Sequence, residues 1–384
     1  MFDNYRYEEI IIKEYNMKEI IKGDFYFKYV FLINDVEYLN NVIRIFKDYS
    51  KYLMLKTYGE DNEFSKEMTG YPYEKDYEFY KYYSHMKKQW MSELNDKNLN
   101  ENIIKSVELA IKLDNDIGLV KEEYLKENYV HNHVLFNKDI SRLYIGNEFC
   151  HNLFPRTDIL MSMLEKAKKE NLNVTLCFTY MRDCYINLTK SIIDRVYIWC
   201  RENNIKVEIT INDWGMLKIL EDKTDYFTLT LGVLLNKRKK DPRYFYKRGY
   251  EENKELMGEN SLNSSFFHEY LKSLKIVRYE YENCGYRISI AEGHHSLHMP
   301  FYVTNTSQYC TLYAMCTNLD RGNQKLVKLC PKYCSDYVFA YPKHLKMVGR
   351  YNSLFAFDDT LLKNREELEY YIQNGIDRIV LNFI

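Results

Sequence analysis

The sequence predicts an α/β fold: a TIM-like (β/α) barrel preceded by a mostly helical N-terminal elaboration. Three observations carry that expectation. From about residue 138 onward, short runs rich in β-branched and aromatic residues alternate with longer amphipathic stretches, as in βα units around a parallel sheet. Glycine (14) and proline (6) are too scarce in 384 residues for a turn-rich all-β protein. A hydrophobic content of 46% supplies a large core and excludes wholesale disorder. The number of units favours a barrel over an open doubly wound sheet, the second choice. No GxGxxG or GxxxxGK[ST] follows an early strand.

The elements are read in order. Residues 1–135 form the helical region: one strand, FYFKYVFLIN (25–34), then amphipathic text at 34–53, 77–94 and 99–113 around a loop at 60–76. This region is a lid, a docking domain or an elaborated first βα unit that includes the first barrel strand. Residues 136–384 form the barrel. RLYIGNEF (142–149), NVTLCFTY (173–180), KVEITIND (206–213) and YFTLTLGVLL (226–235) are strands, as are KIVRYEYE (275–282), YRISIAE (286–292) and IDRIVLNFI (376–384). Helices fall between them at 157–171, 187–204, 214–222, 264–274 and 360–375. A charged excursion occupies 236–255.

Charge and cysteine usage narrow the class. With 54 Lys+Arg against 55 Asp+Glu the net charge is -1, so the chain is not a globally basic nucleic-acid binder, although a local basic groove at 236–243, NKRKKDPR, is compatible with a phosphate or RNA backbone. A solvated loop is the commoner reading of such a run. MFDNYRYEEI is not a secretory signal, and no apolar run approaches the ~18 residues that span a bilayer, so a cytoplasmic location and no membrane partner are expected. Nine cysteines are an odd number and far fewer than in a disulfide scaffold; in a reducing compartment their clustering points to metal or catalysis.

In a barrel the chemistry sits at the C-terminal ends of the strands. There the sequence places Asn147–Cys150, Tyr180–Arg182, Asn212–Asp213, Asn236–Arg238 and Glu292–His298. Cys310, Cys316, Cys330 and Cys334 fall within one 25-residue stretch, the last two separated by three residues, a spacing that lets both sulfurs face one point. Thiolates suit zinc or an iron–sulfur cluster, and Cys150 is a distant candidate ligand. The spacing matches neither a zinc ribbon nor a radical-SAM triplet. Cys177 and Cys200, inside a strand and a helix, read as small core residues.

LYIGNEFCHNLFPR (143–156), KVEITINDWGMLKIL (206–220), LGVLLNKRKKDPR (231–243) and the cysteine-bearing segment 299–334 together resemble the collagenase-like U32 peptidase family. They are most similar to its anaerobic ubiquinone-biosynthesis protein V branch. The resemblance covers roughly 138–345. It implies a TIM-like barrel carrying a [4Fe-4S] cluster on Cys150, Cys310, Cys330 and Cys334, with Cys316 the alternate for Cys310. It also implies oxygen-independent hydroxylation or a related modification of a small molecule, an RNA or a peptide, and a homologous or redox protein partner.

Asn212, Asp213, His294 and Arg156 are the candidates for orienting substrate. The alternatives are a structural zinc or iron–sulfur module and, as the family name suggests, a peptidase. The sequence has neither HExxH nor GxSxG, and only His294, His295 and His298 in EGHHSLHMP offer a catalytic zinc site.

Overall fold

The computed structural model describes residues 79–80, 106–113, 136, 138–246, 250–318, 320, 322–335, 337–341, 345–382 and 384. The elements expected at 25–34, at 34–53 and over most of 77–94 lie outside these residues. In chain order the strands are β1 (Phe79–Tyr80), β2 (Glu108–Lys112), β3 (Arg142–Gly146), β4 (Asn173–Cys177), β5 (Val207–Ile211), β6 (Phe227–Leu231), β7 (Ile276–Glu282), β8 (His294–Thr306), β9 (Val338–Ala340), β10 (Met347–Arg350), β11 (Ser353–Phe357) and β12 (Ile376–Asn382).

Eight of them, all parallel, close in the order β2-β3-β4-β5-β6-β7-β8-β12, with β12 returning to β2. The expected TIM-like barrel is the fold. Its first strand lies at Glu108–Lys112, before residue 135, in text read as amphipathic helix. The main helices are α1 (Thr157–Lys169), α2 (Ile186–Asn203), α3 (Gly215–Leu220), α4 (Lys254–Gly258), α5 (Ser265–Ser273), α6 (Thr311–Asn318), α7 (Thr360–Lys363) and α8 (Arg365–Gln373). No helix among the described residues is long and apolar enough to cross a membrane.

Strand alternation explains where the core sits. In VEITI, Val207, Ile209 and Ile211 join the outer core under the helices, while Glu208 and Thr210 turn to the barrel axis. Leu143 and Ile145 do the same on β3, with Tyr144 inward. A separate small apolar cluster, Ala110, Tyr144, Cys177 and Val380, forms one layer inside the barrel.

The rest of the lumen is polar. At the N-terminal end of the strands Arg378 donates to Glu108 Oε2 at 2.6 Å and to Glu208 at 2.7 and 2.9 Å, and Arg142 donates to Glu108 Oε1 at 2.8 Å. Burial opposes ionisation of Glu208, but these guanidinium groups hold its carboxyl down at about 2. Buried charges tolerate such a site only when paired.

The 286–292 stretch is not a strand. The strand that follows β7 begins at His294, beyond Gly293 at φ +132. Polar inward residues Ser296 and His298 mask its alternation in the sequence. Strand β8 is also longer than the barrel needs. Its first half pairs with β7 and β12, and its second half leaves the barrel and pairs antiparallel with β11. Strands β9, β10 and β11, with β1 on β9, extend this into an antiparallel sheet that carries the cysteine-rich segment.

Candidate functional site

The mouth of the barrel is built where β3 and β4 end. Gly146 takes φ +112, and a Cβ there would lie 2.4 Å from the Cys177 carbonyl oxygen, so only glycine lets β3 turn so close to β4. The chain then makes an Asx turn: Asn147 Oδ1 accepts from the backbone N–H of Phe149 and of Cys150, both at 2.9 Å. Cys150 thereby faces a cleft lined by His151, Tyr180, Arg182, Tyr185 and Cys310. His151 stacks on Tyr185 at 4.6 Å, and the Arg182 guanidinium lies over the rings of Tyr180 and Tyr309 at 5.5 and 5.2 Å.

Four thiols share this neighbourhood. Burial pushes the Cys150 thiol up to about 11, and the nearby Cys330 adds to the rise. Burial pushes Cys310 up to about 12, with Cys150 and Cys330 adding. Cys334 is raised by burial, opposed by Arg350, and raised further by Cys150, Cys310 and Cys330. Cys316 also rises, to about 11, from burial alone, with no other thiol acting on it.

Residues far apart in the chain tie the sulfur-bearing segments together. Asn152 Nδ2 donates to the Val327 carbonyl at 3.0 Å and Tyr185 Oη to the same oxygen at 3.3 Å, docking the approach to Cys330 against the loop after Cys150. Among the described residues no group of three or more His, Cys, Asp or Glu is closed tightly enough to hold a metal ion. Thiolates are the donors that iron–sulfur clusters take, and a cubane cluster takes four. Backbone N–H groups also point at the sulfurs: Tyr313 to Cys310 at 3.3 Å and Lys332 to Cys330 at 3.4 Å.

The substrate candidates disperse. Asn212 is at the mouth: it donates to Glu148 Oε1 at 3.3 Å and to the Phe178 carbonyl at 2.9 Å, and fills the space that a side chain at Gly232 would need. Asp213 accepts from the Gly215 backbone N–H at 2.7 Å and so serves the start of α3. Arg156 is 82% exposed and pairs with Asp158. His294 opens β8 at the end of the barrel opposite the mouth and hydrogen-bonds Asp377 at 2.8 Å.

The His cluster does not assemble. It runs along a strand and not a helix, so His294 is exposed, His295 is buried with Nε2 on the Ala291 carbonyl at 2.6 Å, and His298 lies in the lumen on Glu280 at 2.6 Å. Most of the basic run is engaged internally. Arg238 donates to the Glu282 carbonyl, Lys240 pairs with Glu282 and Arg243 with Asp241, leaving Lys237 and Lys239 exposed.

Sequence reasoning missed the lumen. Lys112 and Glu148 form a buried ion pair directly under the mouth. Below them His298, Glu280 and Tyr144 form a hydrogen-bonded chain that reaches Arg378. Glu148 stands two residues before Cys150 in a strand-end motif, which was the one available signal. No family model, no curated protein and no solved structure matches the chain.

Proposed function

We propose that the protein is a U32-like iron–sulfur enzyme whose [4Fe-4S] cluster is held by Cys150, Cys310, Cys330 and Cys334. What supports the reading is that Cys150 and Cys310, 160 residues apart in the chain, line one cleft at the C-terminal mouth of a parallel barrel, and that Cys330 and Cys334 lie within electrostatic reach of them, whereas no thiol acts on Cys316. Such a cluster supplies one-electron transfer when bound. The chain's own contribution is a cleft in which Arg182, Tyr180, Tyr185 and His151 orient a substrate beside the thiols. The reaction class is the oxygen-independent hydroxylation, or related modification, of a small molecule, RNA or peptide. A cytoplasmic location and a redox partner go with this reading.

Anaerobically purified protein should contain about four iron and about four sulfide per chain and show the visible absorption and paramagnetic resonance of a cubane cluster. Colourless protein holding zinc on the same thiols would replace the enzyme reading with a structural metal module.

A further inference from the structure

One tight turn holds three of the four sulfur-bearing segments. Strands β10 and β11 pair with Arg350 opposite Ser353, which leaves Tyr351 and Asn352 as the turn residues. Arg350 Nε donates to the Cys334 carbonyl at 3.0 Å. Asn352 Nδ2 donates to the carbonyl of Phe149, the neighbour of Cys150, at 2.8 Å, and to that of Ser307, three residues before Cys310, at 2.5 Å. It also approaches Tyr180 Oη, in the cleft, at 3.2 Å. The Ser307 backbone N–H returns a bond to the Asn352 carbonyl at 2.8 Å. The Tyr351 carbonyl accepts from the Cys310 thiol at 3.0 Å, a contact released when that thiol ionises, so the lasting ties are those of Arg350 and Asn352.

The turn is buried and strained. Arg350, Tyr351 and Asn352 are only 6%, 5% and 6% exposed. Tyr351 adopts φ +57, in the left-handed region that a bulky residue avoids, at a cost of order 1–3 kcal/mol. The surroundings over-determine it: Arg350 Nη1 donates to Tyr351 Oη at 2.9 Å, its guanidinium lies 4.8 Å from the Tyr351 ring, and Phe355 meets that ring edge-on at 5.9 Å. An amide side chain bridging two ligand-bearing loops, beside a buried cation on a third, is the arrangement by which outer residues orient metal ligands.

We propose that the Arg350–Tyr351–Asn352 turn is the positioning element of the thiol centre: Asn352 sets the spacing of the Cys150 and Cys310 segments, and Arg350 anchors the Cys334 segment and places a fixed positive charge beside the bound group. The inference rests on the cluster reading above. Anaerobic iron content, resonance spectrum and midpoint potential are compared for wild type, Asn352→Ala, Asn352→Asp, Arg350→Gln and Arg350→Lys, with thermal unfolding followed in parallel. Both Asn352 variants lose the donor and should lower iron affinity by about 10-fold or more, with a broadened spectrum. Arg350→Gln should shift the midpoint to a more negative potential, because removing a nearby cation favours the oxidised form, and Arg350→Lys should return it toward wild type.

Wild-type iron content and potential in both Asn352→Ala and Arg350→Gln would overturn the positioning role. If the Asn352 variants do not fold, the two Arg350 potentials decide alone. A wild type that takes up no iron refutes the cluster reading, and this inference with it. That failure is distinct because it appears before any substitution.

Discussion

Replacing Lys112 by Met tests whether the polar lumen under the mouth is held by charge pairing. Lys112 and Glu148 are 8% and 1% exposed, and Lys112 is the cation that offsets the burial of Glu148, with weaker help from Asn212. Lys112→Met keeps an unbranched apolar chain and removes the ammonium, which lies 4.9 Å from the centre of the Phe149 ring. Breaking a buried pair from one side costs about 3–5 kcal/mol, since the remaining charge is stranded. For a barrel of this size, at about 2–4 °C per kcal/mol, the melting temperature should fall by about 6–20 °C.

The sign of the pH dependence follows. Without Lys112, burial raises the Glu148 carboxyl above its unfolded value, so the native state binds the extra proton and the deficit shrinks as pH falls from 8 to 5. Adding Glu148→Gln should recover most of the loss. Urea and thermal unfolding across this pH range read all three effects. A deficit below about 1 kcal/mol, or one that grows on acidification, would refute the pairing argument.

Further outcomes are expected. Serine in place of Cys150, Cys310, Cys330 or Cys334 should each strip most of the iron from anaerobically purified protein, whereas Cys316→Ser should retain it; iron lost with Cys316→Ser and kept with Cys310→Ser would reassign the third ligand. Acid should act in two steps. His295 is fully buried, and burial pushes it from its ordinary 6.5 down to about 4, so its contribution is present above 6.5 and lost between 6.5 and 4; Glu208, held at about 2 against an ordinary 4.5, is lost between 4.5 and 2. Each is worth on the order of 3 kcal/mol, and His295→Gln should shrink the first step of stability plotted against pH, leaving the part due to His151, which burial also pushes down to about 4. Gly146→Ala meets both a positive φ and the Cys177 carbonyl, and should cost at least about 1–3 kcal/mol; calorimetry showing no loss would mean that β3 ends differently.

The sequence by itself marked six of the eight barrel strands and the alternation that favours a barrel. Runs such as VEITI and FTLTL between caps and amphipathic helices encode parallel strands locally, and their outer faces are apolar enough to read. It also drew attention to the thiols, because cysteines concentrated near one stretch and at one strand end stand out in a chain of ordinary composition.

Two kinds of fact were not legible. Strands β2 and β8 hide in the text, since Glu108, Lys112, Ser296 and His298 point into a lumen whose polarity only the closed barrel neutralises. Which residues meet at the mouth was decided by the tertiary structure alone. Arg156 and His294 look eligible in the sequence, but one points along the surface to Asp158 and the other lies at the far end of a strand. Glu148 and Asn352 look unremarkable until closure brings Asn212, 64 positions away, to the first and Phe149, 203 positions away, to the second. Secondary structure follows from neighbours a few residues away, whereas a site is assembled by non-local contacts, and no local pattern specifies those.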